Sequence, residues 1–86
     1  MSGIAHKRWY FFAWDEDNID HLLDHGVLPN EAEEVFFNRY VITPNKKRYG
    51  RGRYRIDGKT NAGRRLRLIF QDLGSNVARI ITRWDL

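Results

Sequence analysis

Gly50–Asp72 reads GRGRYRIDGKTNAGRRLRLIFQD, and its alternation decides the fold. Arg53-Tyr54-Arg55-Ile56-Asp57 alternates charged and apolar residues, and Arg65-Leu66-Arg67-Leu68-Ile69-Phe70 does so again after a loop carrying Gly58 and Gly63. Successive side chains of a strand point to opposite faces of a sheet. Tyr54, Ile56, Leu66, Leu68 and Phe70 therefore line a core face, and Arg53, Arg55, Arg65 and Arg67 share the other. Four guanidiniums on one face repel one another unless an anion lies there. The plain alternative is a solvated outer face with no ligand, common where one side of an antiparallel sheet meets water.

Downstream, Leu73–Asn76 reads as a turn and Val77–Trp84 as a last strand. Upstream, Tyr40–Thr43 is a short strand, followed by a nine-residue basic loop, Pro44–Gly52, with two glycines and four cations. Before these come two helical stretches. Asp15 is an N-cap residue with Glu16 and Asp17 behind it, where carboxylates favour the helix dipole. Ile19, Leu22, Leu23 and Val27 recur at helical spacing, and Gly26 supplies a left-handed C-cap. The second helix is expected to be capped by Asn30, with Glu33 completing a capping box and Ala32, Val35 and Phe36 facing inward. Trp9–Trp14 reads as an aromatic first strand. The expected architecture is α+β: an N-terminal strand and two helices packed on an antiparallel sheet of about four strands. Residues 1–8 read as a loose leader and 9–86 as a single domain.

The 86 residues carry a net charge of +4 and a pI near 9.8. The acids cluster between Asp15 and Glu34, and most arginines lie from Arg48 onward, and such a basic strand half suits a polyanion, nucleic acid first, or an acidic protein, which charge alone does not separate. With no cysteine, disulfides and thiolate zinc sites are excluded. No apolar run approaches the ~20 residues of a membrane helix, and no signal peptide opens the chain, so a cytoplasmic protein without a membrane partner is expected.

Several constellations bear on chemistry. His21 and His25 form an H-x-x-x-H pair on one helix face with Asn18. Metal ligation is one reading, a polar helix surface another, and a general acid or base at His25 a third. No metal or cofactor is expected. In the basic loop, Lys46, Lys47, Arg48, Tyr49 and Arg51 interleave cations with one aromatic ring, a composition suited to a single-stranded backbone with a stacked base. Gly50-Arg51-Gly52 lacks the helix that a nucleotide-phosphate loop requires, and no Ser-His-Asp arrangement is visible.

Phe12-Ala13-Trp14-Asp15, Asn18, His25-Gly26-Val27, Glu31-Ala32 and Val35-Phe36 resemble the opening of the BrnT-type toxins. Arg53-Tyr54, Gly58-Lys59-Thr60, Gly63-Arg64 and Arg79-Ile80-Ile81-Thr82 continue the likeness, which covers roughly residues 11–82. The order and spacing of these pieces carry it, since each alone is unspecific. The resemblance implies a RelE-like fold and a ribonuclease toxin of a type II toxin–antitoxin system. Such a toxin cleaves mRNA without a metal and is neutralised by a ribbon–helix–helix antitoxin. Operator DNA is reached only through that antitoxin. The chain departs from the family at its end, where an I-I-S-A-R motif leading into a charged helix is replaced by Ile80-Ile81-Thr82-Arg83-Trp84-Asp85-Leu86. Trp84 holds the arginine position, and Arg83 stands one place early, a shift that turns a strand side chain to the opposite face.

RNA cleavage by 2′-hydroxyl attack needs a proton acceptor, charge neutralisation at the phosphate and protonation of the leaving oxygen. Arg53, Arg55, Arg67 and Arg79 are the expected phosphate clamps, because guanidinium pairs bidentately with phosphate. Lys59, Arg64, Arg65 and Arg83 extend the RNA-binding set. His25 is the expected proton-transfer group and Tyr54 a weaker one, giving His25, Arg53, Tyr54 and Arg79 as the catalytic set. The competing reading is a non-catalytic module that binds nucleic acid or an acidic protein through its arginine-rich sheet.

Overall fold

The strand pair anticipated at 53–70 lies inside the sheet, where both of its edges are hydrogen-bonded. In the computed structural model, which describes residues 7–44 and 53–85 (side chains to Ile81), the elements run β1 Phe11–Phe12, α1 Glu16–Leu23, α2 Pro29–Val35, β2 Tyr40–Pro44, β3 Arg53–Lys59, β4 Arg65–Gly74 and β5 Val77–Asp85. They form a five-stranded sheet in the order β1-β5-β4-β3-β2. The architecture is α+β, as the sequence led one to expect, with one more strand. Strands β2 to β5 pair antiparallel, and β1 pairs parallel with β5 through Phe11↔Val77 and Phe12↔Ala78. The sheet is therefore mixed. Of the aromatic run 9–14, only two residues are strand. No tight turn joins β1 to β5, so nothing constrains them to run antiparallel. Among the described residues no helix is long and apolar enough to cross a membrane.

Both helices lie on the core face. Leu22, Val27, Ala32 and Val35 are fully buried with Ile56, Leu66, Leu68, Phe70 and Ala78, and Phe36 and Trp9 join them. The rings of Trp9 and Phe36 stand edge-on to Phe70 at centroid distances of 4.8 and 5.0 Å. Edge-to-face pairs add to what burial alone contributes. One glycine and a two-residue turn shape the chain between elements. Gly26, at φ 74°, closes α1 through Gly26 N–H to Leu23 O and Val27 N–H to Leu22 O, the paired bonds of a Schellman ending. Ser75 and Asn76, both at positive φ, form a type I′ turn between β4 and β5.

Two helix details differ from the expectation. The buried face of α1 is turned toward Asn18 and Leu22, which leaves Leu23 45% exposed. Asn18 sits inside because its polar atoms are satisfied there. Its Nδ2 donates to Ala13 O and Ile80 O, and its Oδ1 accepts from the Asp15 amide while the Asp15 carboxylate accepts from the Asn18 amide. In α2, Pro29 takes the first helical position and Leu28 the cap, so the helix starts earlier than Asn30 would allow. Glu31 Oε1 accepts from the Leu28 amide, and Glu33 accepts from Trp14 Nε1 at 2.6 Å.

Gly58 lies under α2, where an added Cβ would stand 2.9 Å from Val35 Cγ1. Gly58→Ala should therefore overpack the helix–sheet contact and cost about 1–3 kcal/mol, read as a lower urea midpoint at unchanged slope.

The leader is tied down at its end. Lys7 Nζ donates to Asp72 Oδ2 at 2.9 Å, and Arg8 donates to the Tyr40 hydroxyl at 2.9 Å with its guanidinium over the same ring. Burial would raise the Asp72 pKa, but hydrogen bonds from Lys7 and the Gly74 amide outweigh it, and the carboxyl titrates below its usual range. The Lys7 pKa is raised by the same contact. A carboxyl depressed in the folded state contributes stability above its unfolded pKa, near ~3.9, and loses it as pH falls through the folded value. A lysine raised in the folded state loses its contribution only as pH rises past its ordinary range. Denaturant titrations should thus show the Lys7–Asp72 contribution constant between about pH 5 and 9 and fading below about pH 4. Asp72→Asn should flatten part of that acid limb.

Candidate nucleic-acid interface

The face of the sheet opposite the helices carries the arginines, in rows set by the register. Arg53, Gln71 and Arg79 stand side by side across β3, β4 and β5. The next row is Thr43, Arg55 and Ile69, and the one after it Val41, Asp57 and Arg67. Lys59 pairs with Arg65, and Arg39, one residue ahead of β2, lines a cleft with both. Rows are ~7 Å apart at two residues each, so Arg53 and Lys59 are separated by ~20 Å along β3.

The arginines expected on one face are on one face, and Arg79 joins them. They are not equally available. Asp57 lies within β3 and is bracketed by cations. Arg67 donates to it through Nε at 2.9 Å and Nη2 at 3.3 Å, and Arg55 Nε lies 3.5 Å from its Oδ2. That Arg55 nitrogen is buried and makes no hydrogen bond, although Nη2 donates to Thr43 Oγ1 at 3.3 Å. Arg79 Nη2 donates to Asp15 Oδ2 at 2.8 Å, and this bond, with the Asn18 amide, holds the Asp15 carboxyl below its ordinary pKa. Arg79 thus reinforces the α1 cap. Arg53, Lys59 and Arg65 are exposed, and among the described residues none of them has a carboxylate partner.

Other expected site residues lie elsewhere. Tyr54 is on the helix side of β3, half-buried beside Trp9 and Phe70 at 6.2 and 5.7 Å, so it faces away from Arg53 and Arg55. Its even register position in β3 dictates this. His25 is exposed in the turn after α1, its ring 5.5 Å from that of His21. The neighbouring Gly26 carbonyl accepts from Arg64 Nη1, which places His25 in the helix layer by the β3–β4 loop, at the opposite end of the sheet from Arg53. The proposed catalytic set therefore does not assemble: Arg53 and Arg79 share a row, and His25 and Tyr54 are not with them. Arg64 also reaches within 4.0 Å of Glu31, so it fastens the loop to the helices instead of serving the arginine face. Among the described residues no group of three or more His, Cys, Asp or Glu is placed to hold a metal ion. Lys46, Lys47, Arg48, Tyr49 and Arg51 lie outside the described residues. Arg83 pairs with Leu68 in the β4–β5 register, and its side chain lies outside the described part.

Two residues of this face escaped the sequence reading. Asp57 was legible, since the alternation that puts Arg53 and Arg55 together puts Asp57 with them. Arg39 was not, because it precedes β2, where no alternation places it, and only the folded chain brings it beside Lys59 and Arg65. Beside it opens a cleft of about 760 Å³ lined by Arg39, Val41, Asp57, Lys59, Arg65 and Arg67 among others. Compared with known proteins, the chain matches no family model, no curated protein and no solved structure.

Proposed function

We propose that this chain is an RNA-directed toxin of a type II toxin–antitoxin pair, an endoribonuclease whose open sheet face grips the sugar–phosphate backbone. The observation that supports the reading is the ladder of cations on that face, Arg53 and Arg79 at one end and Arg39, Lys59 and Arg65 at the other. Guanidiniums in adjacent rows, ~7 Å apart, match every second phosphate of a stacked strand at ~3.4 Å per nucleotide, and they stabilise the extra negative charge of a pentacoordinate phosphorus. The 2′-oxygen forms a bond to phosphorus and the bond to the 5′-oxygen breaks, leaving a 2′,3′-cyclic phosphate and a 5′-hydroxyl. The 2′-hydroxyl proton needs an acceptor on the same face: Asp57, in the role first given to His25, takes that proton and then gives it to the departing 5′-oxygen. The cognate antitoxin is a ribbon–helix–helix protein that covers the cationic face, and contact with operator DNA runs through the antitoxin.

Inducible expression tests the reading. Growth should arrest and mRNA decay, and Arg53→Ala combined with Arg79→Ala should relieve both. With Asp57 the one carboxylate on the described face and held by arginines, cleavage should be faster on ribosome-bound than on free message. Rapid cleavage of free RNA would contradict that part.

One observation favours the second reading, a module that binds RNA without cutting it: His25 and Tyr54 stand away from the arginine rows. Under it, expression is harmless and RNA binding persists.

A further inference from the structure

Positive charge on the open face is compensated unevenly. Arg55 and Arg67 share Asp57, and Arg79 has Asp15. At the end of the sheet near the β3–β4 loop, Lys59 and Arg65 pair across β3 and β4, Arg39 lines the same cleft from just ahead of β2, and among the described residues none of the three meets a carboxylate. Like charges directly opposite one another on neighbouring strands destabilise a sheet. Here Lys59 at the end of β3 and Arg65 at the start of β4 stand opposite, and Arg39, from the segment before β2, shares their cleft. The positions are concave as well: the three cations line the same 760 Å³ cleft, whose wall includes the exposed apolar side chain of Val41.

The loop that builds this end is well tied. Thr60 is buried, its amide donating to Arg64 O and its hydroxyl accepting from the Arg64 amide. Asn38 Nδ2 donates to Lys59 O and to Asn61 Oδ1, and Glu34 accepts from the Asn61 amide. The backbone carrying Lys59 is thus held to the end of α2, so the cationic row is not a product of a loose turn.

We propose that this cleft is a subsite for a terminal phosphomonoester, with the end nucleotide of the strand resting against Val41. An internal phosphodiester carries one negative charge and a monoester ~1.5–2 at neutral pH, the better match for three unpaired cations. The subsite rests on the RNA reading for the identity of the strand. Its position gives that reading a direction and a length. A strand end bound at Lys59 runs along β3 toward Arg53, ~20 Å away, which a stacked strand at ~3.4 Å per nucleotide covers in about six nucleotides.

Titrations of the full chain with fluorescent hexaribonucleotides, either unphosphorylated or bearing one 5′- or 3′-phosphate, test the proposal, with adenosine monophosphate and inorganic phosphate as further probes. The phosphate at one of the two ends should improve affinity at least tenfold. Lys59→Gln with Arg65→Gln should abolish that gain, and Arg53→Gln should weaken all hexamers alike while preserving it. Both substituted sites are exposed and the substitutions remove like-charge repulsion, so thermal melts of the variants should lie at or slightly above the parent's. Equal affinity for all hexamers, or a gain that survives the double variant, would overturn the subsite and leave RNA binding standing. Binding of adenosine monophosphate but of no hexamer would overturn the RNA reading and leave the phosphate site standing.

Discussion

Phe70→Ala should cost about 3–5 kcal/mol, the range for removing a fully buried aromatic side chain. Phe70 is in the middle of β4, has no exposed surface, and is packed edge-on by both Trp9 and Phe36. Trp9 comes from the segment ahead of β1, Phe36 from the end of α2, and Phe70 from the sheet, so one truncation loosens three parts of the molecule. A domain of this size has ~5–15 kcal/mol of stability in all, and each kcal/mol shifts the melting temperature by ~4–8 °C. The substitution should therefore lower the melting temperature by at least about 12 °C, and in a marginal background it should unfold the chain at 37 °C. Calorimetry or a thermal melt by circular dichroism reads this directly. A drop of only a few degrees would mean that the aromatic cluster is not the centre of the core.

Asp57→Asn should separate binding from cleavage. The carboxylate lies among Arg55 and Arg67, where it attracts both guanidiniums and repels an incoming phosphate. The amide keeps the shape and removes the charge. RNA affinity should rise about tenfold, equivalent to ~1.4 kcal/mol. Cleavage should fall by ~10²–10⁴-fold, the usual contribution of a positioned proton acceptor. Stability should drop as well, since Arg55 Nε is already a buried donor without a hydrogen bond and loses its nearby charge. Paired binding and single-turnover assays on the same preparation make the comparison. If cleavage survives unchanged, Asp57 is a charge partner for the arginines and nothing more. If affinity falls instead, the arginines depend on Asp57 for their geometry.

The parts of the fold that repeat with a period of two were legible. Ile56, Leu66, Leu68 and Phe70 are buried and Arg53, Arg55, Arg65 and Arg67 oppose them, because a strand leaves no other arrangement. The helix ends were legible only where the cap is local. Asp15 and Gly26 act as their residue types suggest, whereas Pro29 outcompeted Asn30 for the start of α2 because its fixed φ already suits the first turn. The inward turn of Asn18 could not be read, since its partners Ala13 and Ile80 are brought together only by the folded sheet. The same holds for the site. Which arginines share a face follows from alternation, but which are neutralised follows from long-range pairs such as Arg79 with Asp15, 64 residues apart. His25 was chosen for its chemistry, and no sequence signal says which layer it occupies.

The most direct test of the central claim, that the open face holds a polyphosphate chain, is the salt dependence of single-stranded RNA binding. Arg53, Arg39, Lys59 and Arg65 are the cations there with no carboxylate partner among the described residues. If four cations displace counterions from a single strand, log K should fall with log salt at a slope of about −3. Affinity should then drop ~50-fold between ~50 and ~200 mM salt. Replacing Arg53, Lys59 and Arg65 together by glutamine should bring the slope to about −1. An affinity that stays level across that range, or a triple variant that keeps the parent slope, would contradict the claim.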